Sequence, residues 1–217
     1  MRRAALLAGI FAVVFALFSA VVAGGALRVF DRQVAVGFAA VYDPSLLTPF
    51  RALALLGGLE LTTLLALGLF AYLWRQGYRM GAWAAAALVV STLVELADKQ
   101  FVDQPSPSAN MAHPDGPSIT DLLGHQLGSG WSFPSGHVTR AVVVYGLLAF
   151  VVGRLSTRPW ARRLAPVVAA VLLVAIAFDR LYLAVHWESD VIGGLLLGGT
   201  FLAAAISWLE WSAARSR

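Results

Sequence analysis

Two short segments of this chain hold residues suited to one kind of chemistry. Residues 131–140 read WSFPSGHVTR, and residues 179–190 read DRLYLAVHWESD. In the first, Pro134 and Gly136 shape a turn, and an apolar helix is expected from Val138 onward. The amides of Ser135, Gly136 and His137 then stand at a helix N-terminus, where unpaired N–H groups and the helix dipole attract an anion. In the second, Arg180, His186 and Asp190 follow one another at intervals of six and four residues. If that stretch is helical, His186 and Asp190 share a face, and the carboxylate can hold the imidazole in one tautomer. A cation, two histidines, a carboxylate and an amide nest are the groups that phosphoryl transfer needs when no metal takes part.

The elements that must position these residues are membrane spans. The 217 residues are 59% hydrophobic and only 13% charged, with a mean hydropathy of +0.75. Such a chain is no ordinary soluble domain, and several of its apolar runs reach the ~20 residues that cross a bilayer as helix. Without cysteine there are neither disulfides nor thiolate metal sites. The net charge of +4 does not point to nucleic acid, because the basic residues are scattered between apolar runs.

Six spans are expected, in an all-α, single-domain protein covering residues 1–217. The first is residues 4–27. Its VVAGGA run would suit a signal-peptide cleavage site, but the apolar stretch exceeds the ~7–15 residues of such a leader's core. Residues 28–49 mix Arg28, Asp31, Arg32 and Asp43 with apolar residues, and are expected to lie along the interface. Spans at 50–74 and 80–97 follow. A long polar connection at 98–134 leads to spans at 136–153, 164–183 and 190–211. No internal repeat is visible.

Basic residues orient the bundle. With both termini cytoplasmic, ten of the sixteen fall inside: Arg2, Arg3, Arg75, Arg79, Arg154, Arg158, Arg162, Arg163, Arg215 and Arg217. The other six are Arg28, Arg32, Arg51, Lys99, Arg140 and Arg180. The PSGH segment, the His186 segment and Lys99 then share the extracytoplasmic side of a cell membrane.

PSGH at 134–137, followed by Arg180, His186 and Asp190 in an R-x5-H-x3-D pattern, resembles the second and third signature motifs of the type 2 phosphatidic-acid phosphatases. These are membrane lipid-phosphate phosphatases related to bacterial acid phosphatases and vanadium haloperoxidases. Motif order, motif separation and the six-span layout extend the resemblance over most of the chain. The resemblance implies that His186 is the nucleophile, forming a phosphohistidine, with Asp190 orienting it. His137 would protonate the leaving group and then activate water. Lys99, Ser135, the Gly136 amide and Arg180 would hold the phosphoryl oxygens. It implies no metal and no cofactor. The expected partners are the bilayer and a lipid phosphate of polyprenyl or phosphatidate type.

The first motif departs from that family. Lys99 and the prolines of residues 99–107, KQFVDQPSP, are in place, but Gln104 and Ser106 stand where arginines are usual. At Ser106 a charge-assisted phosphate contact worth ~1.5–3 kcal/mol is missing. Asp179 also stands where serine is usual. The lost arginines favour a monophosphate over a diphosphate, and they leave open a catalytically weak lipid-phosphate binding or scaffold protein. Arg140, three residues after His137, leans toward the same membrane face. It either replaces the arginine missing at Ser106 or pairs with a structural acid such as Glu95 or Asp98. His113 and His125 are expected to be solvated, Glu60 has no assigned role, and residues 119–127 suit a short interfacial helix. Trp131, Trp160, Trp187 and Trp211 suit an aromatic belt.

Overall fold

The computed structural model describes residues 1–107, 112–113 and 131–215. Among these residues the protein is all-α, with one isolated bridge joining Pro105 and Trp131. Among the described residues, six helical stretches are long and apolar enough to cross a membrane: Arg2–Ala23, Pro44–Arg75, Arg79–Asp98, Gly136–Leu155, Pro159–Tyr182 and Glu188–Arg215. The chain is therefore a multi-pass membrane protein. We number its α-helices α1 (Arg2–Ala23), α2 (Arg28–Ala40), α3 (Leu47–Ala54), α4 (Leu59–Arg75), α5 (Arg79–Ala82), α6 (Ala87–Asp98), α7 (Gly136–Leu155), α8 (Pro159–Tyr182) and α9 (Glu188–Arg215). His125, Arg217 and residues 119–127 lie outside the described residues.

Helix α7 is the centre of the bundle. Over half of its apolar window, 56%, is buried, against 17% for α1. Helices α8 and α9 pack along it, and α1 packs along α9. The α7–α9 seam is closed by glycines: a Cβ at Gly194 would come 2.7 Å from the Ser135 carbonyl, and one at Gly198 would come 2.6 Å from Val142. In lipid, where apolar side chains gain little by leaving their surroundings, such close backbone approach is what binds helices. It also brings the start of α7, with PSGH, onto the start of α9, with Asp190. A main apolar cluster around Leu69, Leu73, Leu88, Val143, Leu147 and Leu209 fills the other half of the bundle.

The second span is broken, which the apolar pattern of residues 50–74 does not reveal. A 3-10 turn at Leu55–Gly57 separates α3 from α4, and Gly58 is extended, with φ −62° and ψ 155°. Two successive glycines are poor helix formers, and the Thr62 hydroxyl stabilises the new helix start by donating to the Gly58 carbonyl at 2.7 Å. Carbonyls freed by the break are taken up by α7. Tyr145 donates its hydroxyl to the Leu56 carbonyl at 2.7 Å, and Arg140 Nε donates to the Gly57 carbonyl at 3.4 Å. Gly57 leaves room for His137, whose Cβ would stand 3.0 Å from any Cβ placed there.

Candidate active site

His186 does not sit on a helix. Helix α8 ends in a Schellman turn, in which Val185 N–H bonds the Arg180 carbonyl at 3.2 Å and Ala184 N–H bonds the Leu181 carbonyl at 3.0 Å. Ala184, at φ 50°, occupies the left-handed position that glycine usually takes. The turn delivers His186 just ahead of α9, where Asp190 Oδ2 lies 3.2 Å from its Nδ1. The i,i+4 spacing thus works across a helix start rather than along a helix. Asp190 also accepts the Trp187 N–H at 2.8 Å, the backward half of a capping box. It is fully buried, while the His186 side chain is 12% exposed.

The residue that looked like a loss in the first motif faces this pair. Gln104 is buried and spends both amide hydrogens on α9, one on Ser189 Oγ at 2.8 Å and one on Asp190 Oδ1 at 2.9 Å. Its carbonyl neighbourhood is fastened too: Ser132 N–H donates to the Gln104 backbone oxygen at 2.9 Å, and Trp187 Nε1 donates to the Pro105 carbonyl at 2.7 Å. Trp187 is therefore a clamp on this segment as well as a residue near a span end. Ser106 is exposed.

At the start of α7 the amide nest is smaller than the sequence suggests. The Ser135 N–H is already bonded to the Asp190 carbonyl at 2.9 Å, because the glycine seam draws the two helix starts together. The Ser135 hydroxyl, by contrast, is buried and has no hydrogen-bond partner among the described residues. Beside it stands a carboxylate. Glu95, on α6, fills the space over the Gly136 Cα, so closely that any side chain there would collide with it. Glu95 Oε1 is 2.9 Å from Lys99 Nζ, and Oε2 is 3.1 Å from Arg140 Nη1. Of the two expectations for Arg140, the pair with Glu95 is the one that forms. A buried guanidinium in a membrane helix needs such an anion, and Glu95 is near enough to supply it.

Arg180 and Asp179 are both fully buried, and Asp179 Oδ2 accepts from Arg180 Nε at 2.8 Å and from Nη2. The aspartate that replaces the usual serine thus aims its neighbouring guanidinium. His137, in the first turn of α7, lies within electrostatic reach of Arg180, Arg140, His186 and Lys99. The fold therefore brings His186, Asp190, Ser135, Gly136, Lys99, Arg140, Arg180 and His137 to one end of the bundle. His113 is not simply solvated: its ring stacks on Tyr42, 4.1 Å between centroids, and its N–H donates to the Leu183 carbonyl at 2.8 Å. The sequence gives no sign that Gln104 and Asp31 reach the start of α9, and it offers Glu95 only as one possible partner of Arg140. A further local hint to Glu95 is its place four residues before Lys99, the spacing at which ion pairs form on a helix.

A family model described as PAP2 superfamily matches residues 79–214. Phosphatidylglycerophosphatase B of Bacillus subtilis (strain 168) is 39% identical over 71 residues, 32% of this chain and 35% of that protein. A putative undecaprenyl-diphosphatase of Escherichia coli (strain K12) is 34% identical over 134 residues, 59% of this chain and 61% of that protein. The chain thus spans about a third and about three fifths of the length of these two curated relatives. Its fold is that of the crystal structure of a transmembrane PAP2 type phosphatidylglycerolphosphate phosphatase from Bacillus subtilis. The TM-score is 0.75 over 94% of this chain and 96% of that one, at 22% identity.

Proposed function

The chain belongs to the PAP2 superfamily, and from that membership we propose that it is a membrane lipid phosphatase. The observation that carries the reading is the His186–Asp190 pair, with the carboxylate fully buried and His186 partly open. Engaging Nδ1 with Asp190 leaves Nε2 as the nitrogen that attacks phosphorus. An N–P bond forms as the P–O bond to the lipid breaks, and His137 gives the departing oxygen its proton. His137 then takes a proton from water, whose oxygen displaces the phosphoryl group from His186 as inorganic phosphate. Lys99, Arg180, the Ser135 hydroxyl and the Gly136 amide hold the phosphoryl oxygens, and Arg140 acts one step back by holding Glu95. Neither step calls for a metal. The polyprenyl and phosphatidate-type lipids suit a site at the ends of membrane spans, with the tail in the bilayer and the phosphate raised to the histidines. The excess of arginine at the opposite end supports an extracytoplasmic site and cytoplasmic termini.

Phosphate release from purified protein in detergent, with chelator present, tests this. The panel is a polyprenyl diphosphate, a polyprenyl monophosphate and phosphatidic acid, with His186→Ala as control. Turnover that vanishes in the variant is the expected result, and turnover that survives in it would remove His186 from the chemistry. A second reading, a lipid-phosphate binding protein with little turnover, draws on one observation: the Glu95 carboxylate already lies against Gly136, where a phosphoryl oxygen would bind. Binding of these lipids without phosphate release would favour it.

A further inference from the structure

Helix α2 lies outside the residues matched by the family model, and its one buried side chain is a carboxylate, Asp31, 4% exposed. Asp31 reaches α9, accepting the Ser189 N–H on Oδ1 at 2.9 Å and the Ser189 hydroxyl on Oδ2 at 2.8 Å. The cause is local to α9. Trp187, at the position just before that helix, has no side-chain oxygen to cap it. Asp190 reaches back to the Trp187 N–H, and the first-turn amide of Ser189 is left for a residue from elsewhere.

The contact does more than cap. With its proton given to Asp31, the Ser189 hydroxyl presents a lone pair to Gln104 Nε2, and the other hydrogen of that same nitrogen goes to Asp190 Oδ1. The run Asp31–Ser189–Gln104–Asp190–His186 is therefore continuous, each donor meeting an acceptor. Ser189 and Asp190 are fully buried, so solvent cannot replace a lost link.

We propose that Asp31 is a positioning residue of the active site, fixing the Ser189 hydroxyl, through it the Gln104 amide, and so the orientation of Asp190 against His186 Nδ1. The inference rests on the reading of His186 as the reacting group. A purely structural Asp31 would only fasten α2 to the bundle. Its removal would then reduce the amount of folded protein without changing the chemistry of what folds.

The test uses the full chain in detergent, comparing Asp31→Ala, Asp31→Asn, Ser189→Ala and the Asp31→Ala/Ser189→Ala double variant, with exposed Gln33→Ala as a control on α2. Two quantities are read: kcat and KM on the better of phosphatidic acid and a polyprenyl monophosphate, and the ¹⁵N spectrum of the His186 ring, assigned by its loss in His186→Ala. Asp31→Ala and Ser189→Ala should each lower kcat about tenfold, the worth of one hydrogen bond in a charged network, with KM within about twofold. The double variant should fall no further than the worse single one, because both cut the same run. The Nδ1 signal of His186 should shift in both single variants and not in Gln33→Ala. Full kcat in folded Asp31→Ala, multiplied losses in the double variant, or an unmoved His186 signal would each overturn the proposal. If Asp31→Ala does not fold, Asp31→Asn and Ser189→Ala decide it by the same criteria. A wild-type protein without turnover would count against the phosphatase reading, while the nitrogen spectrum would still answer for Asp31.

Discussion

The two halves of the site are held by opposite means. Around His186 the carboxylate Asp190 is fixed by neutral donors, the Trp187 N–H and the Gln104 amide, with Ser189 and Asp31 behind them. Around the start of α7 two cations, Lys99 and Arg140, both pair with Glu95. The first half is a set of hydrogen bonds that need no counter-ion from outside. The second is built on ion pairs, with Glu60 also in electrostatic reach of Arg140, beside a buried Ser135 hydroxyl with no described partner. The contrast teaches that one half is finished in the resting protein, its hydrogen bonds already made. The other keeps a polar group, the Ser135 hydroxyl, without a described partner among its ion pairs.

Variants that break the finished half should have the largest effect. Asp190→Asn keeps the shape but offers His186 the wrong hydrogen-bond partner, and kcat should fall by about a hundredfold or more, read by phosphate release. In the other half the loss should appear first in stability. Arg140→Gln takes from the buried Glu95 one of the two cations that offset its desolvation, and the loss should lower unfolding stability by about 3 kcal/mol. Glu95→Gln/Arg140→Gln, which removes both charges, should recover most of that in thermal unfolding. Glu95→Gln alone should sharpen the contrast from the opposite direction. With the internal anion gone, inorganic phosphate should inhibit at least tenfold more tightly, since a unit charge closer than ~10 Å repels another by more than ~1.6 kcal/mol at an effective dielectric of ~20.

How much of this could be read from the residues follows the same division. His186 and Asp190 are four apart, and PSGH announces its own turn, so the His186–Asp190 contact and the start of α7 were legible from local spacing. The six spans were legible because a bilayer demands long apolar helices. Asp31 and Ser189 are 158 positions apart, and no periodicity links an acid in an interfacial segment to a helix cap near the other end of the chain. Gln104 read as a missing arginine because a motif records which residue is usual, not where a different one turns. The break at Leu55–Gly58 was hidden because both of its sides are equally apolar.

Smaller effects probe how the finished half is tuned. Burial pushes the Asp31 carboxyl above its ordinary value of 3.8, against two hydrogen bonds from Ser189 that pull it down. The folded state thus binds this proton more tightly than the unfolded chain. Ionising Asp31 should cost stability as pH rises from 3.8 through the raised value. Asp31→Asn abolishes that dependence, so the gap in melting temperature between wild type and variant should move in the variant's favour as pH rises across this window. Smallest of all is Ala184→Gly, which frees the left-handed Schellman position and should stabilise the fold by about 1 kcal/mol without altering kcat.

The measurement that tests the central claim most directly is a rapid quench of the protein mixed with radiolabelled lipid monophosphate, followed by digestion and mapping of the label. The account predicts a phosphoryl group on the peptide containing His186, stable in base and lost in acid, formed faster than phosphate is released and absent in His186→Ala. Phosphate release with no labelled peptide at any time, or label carried by His137 instead, would contradict it.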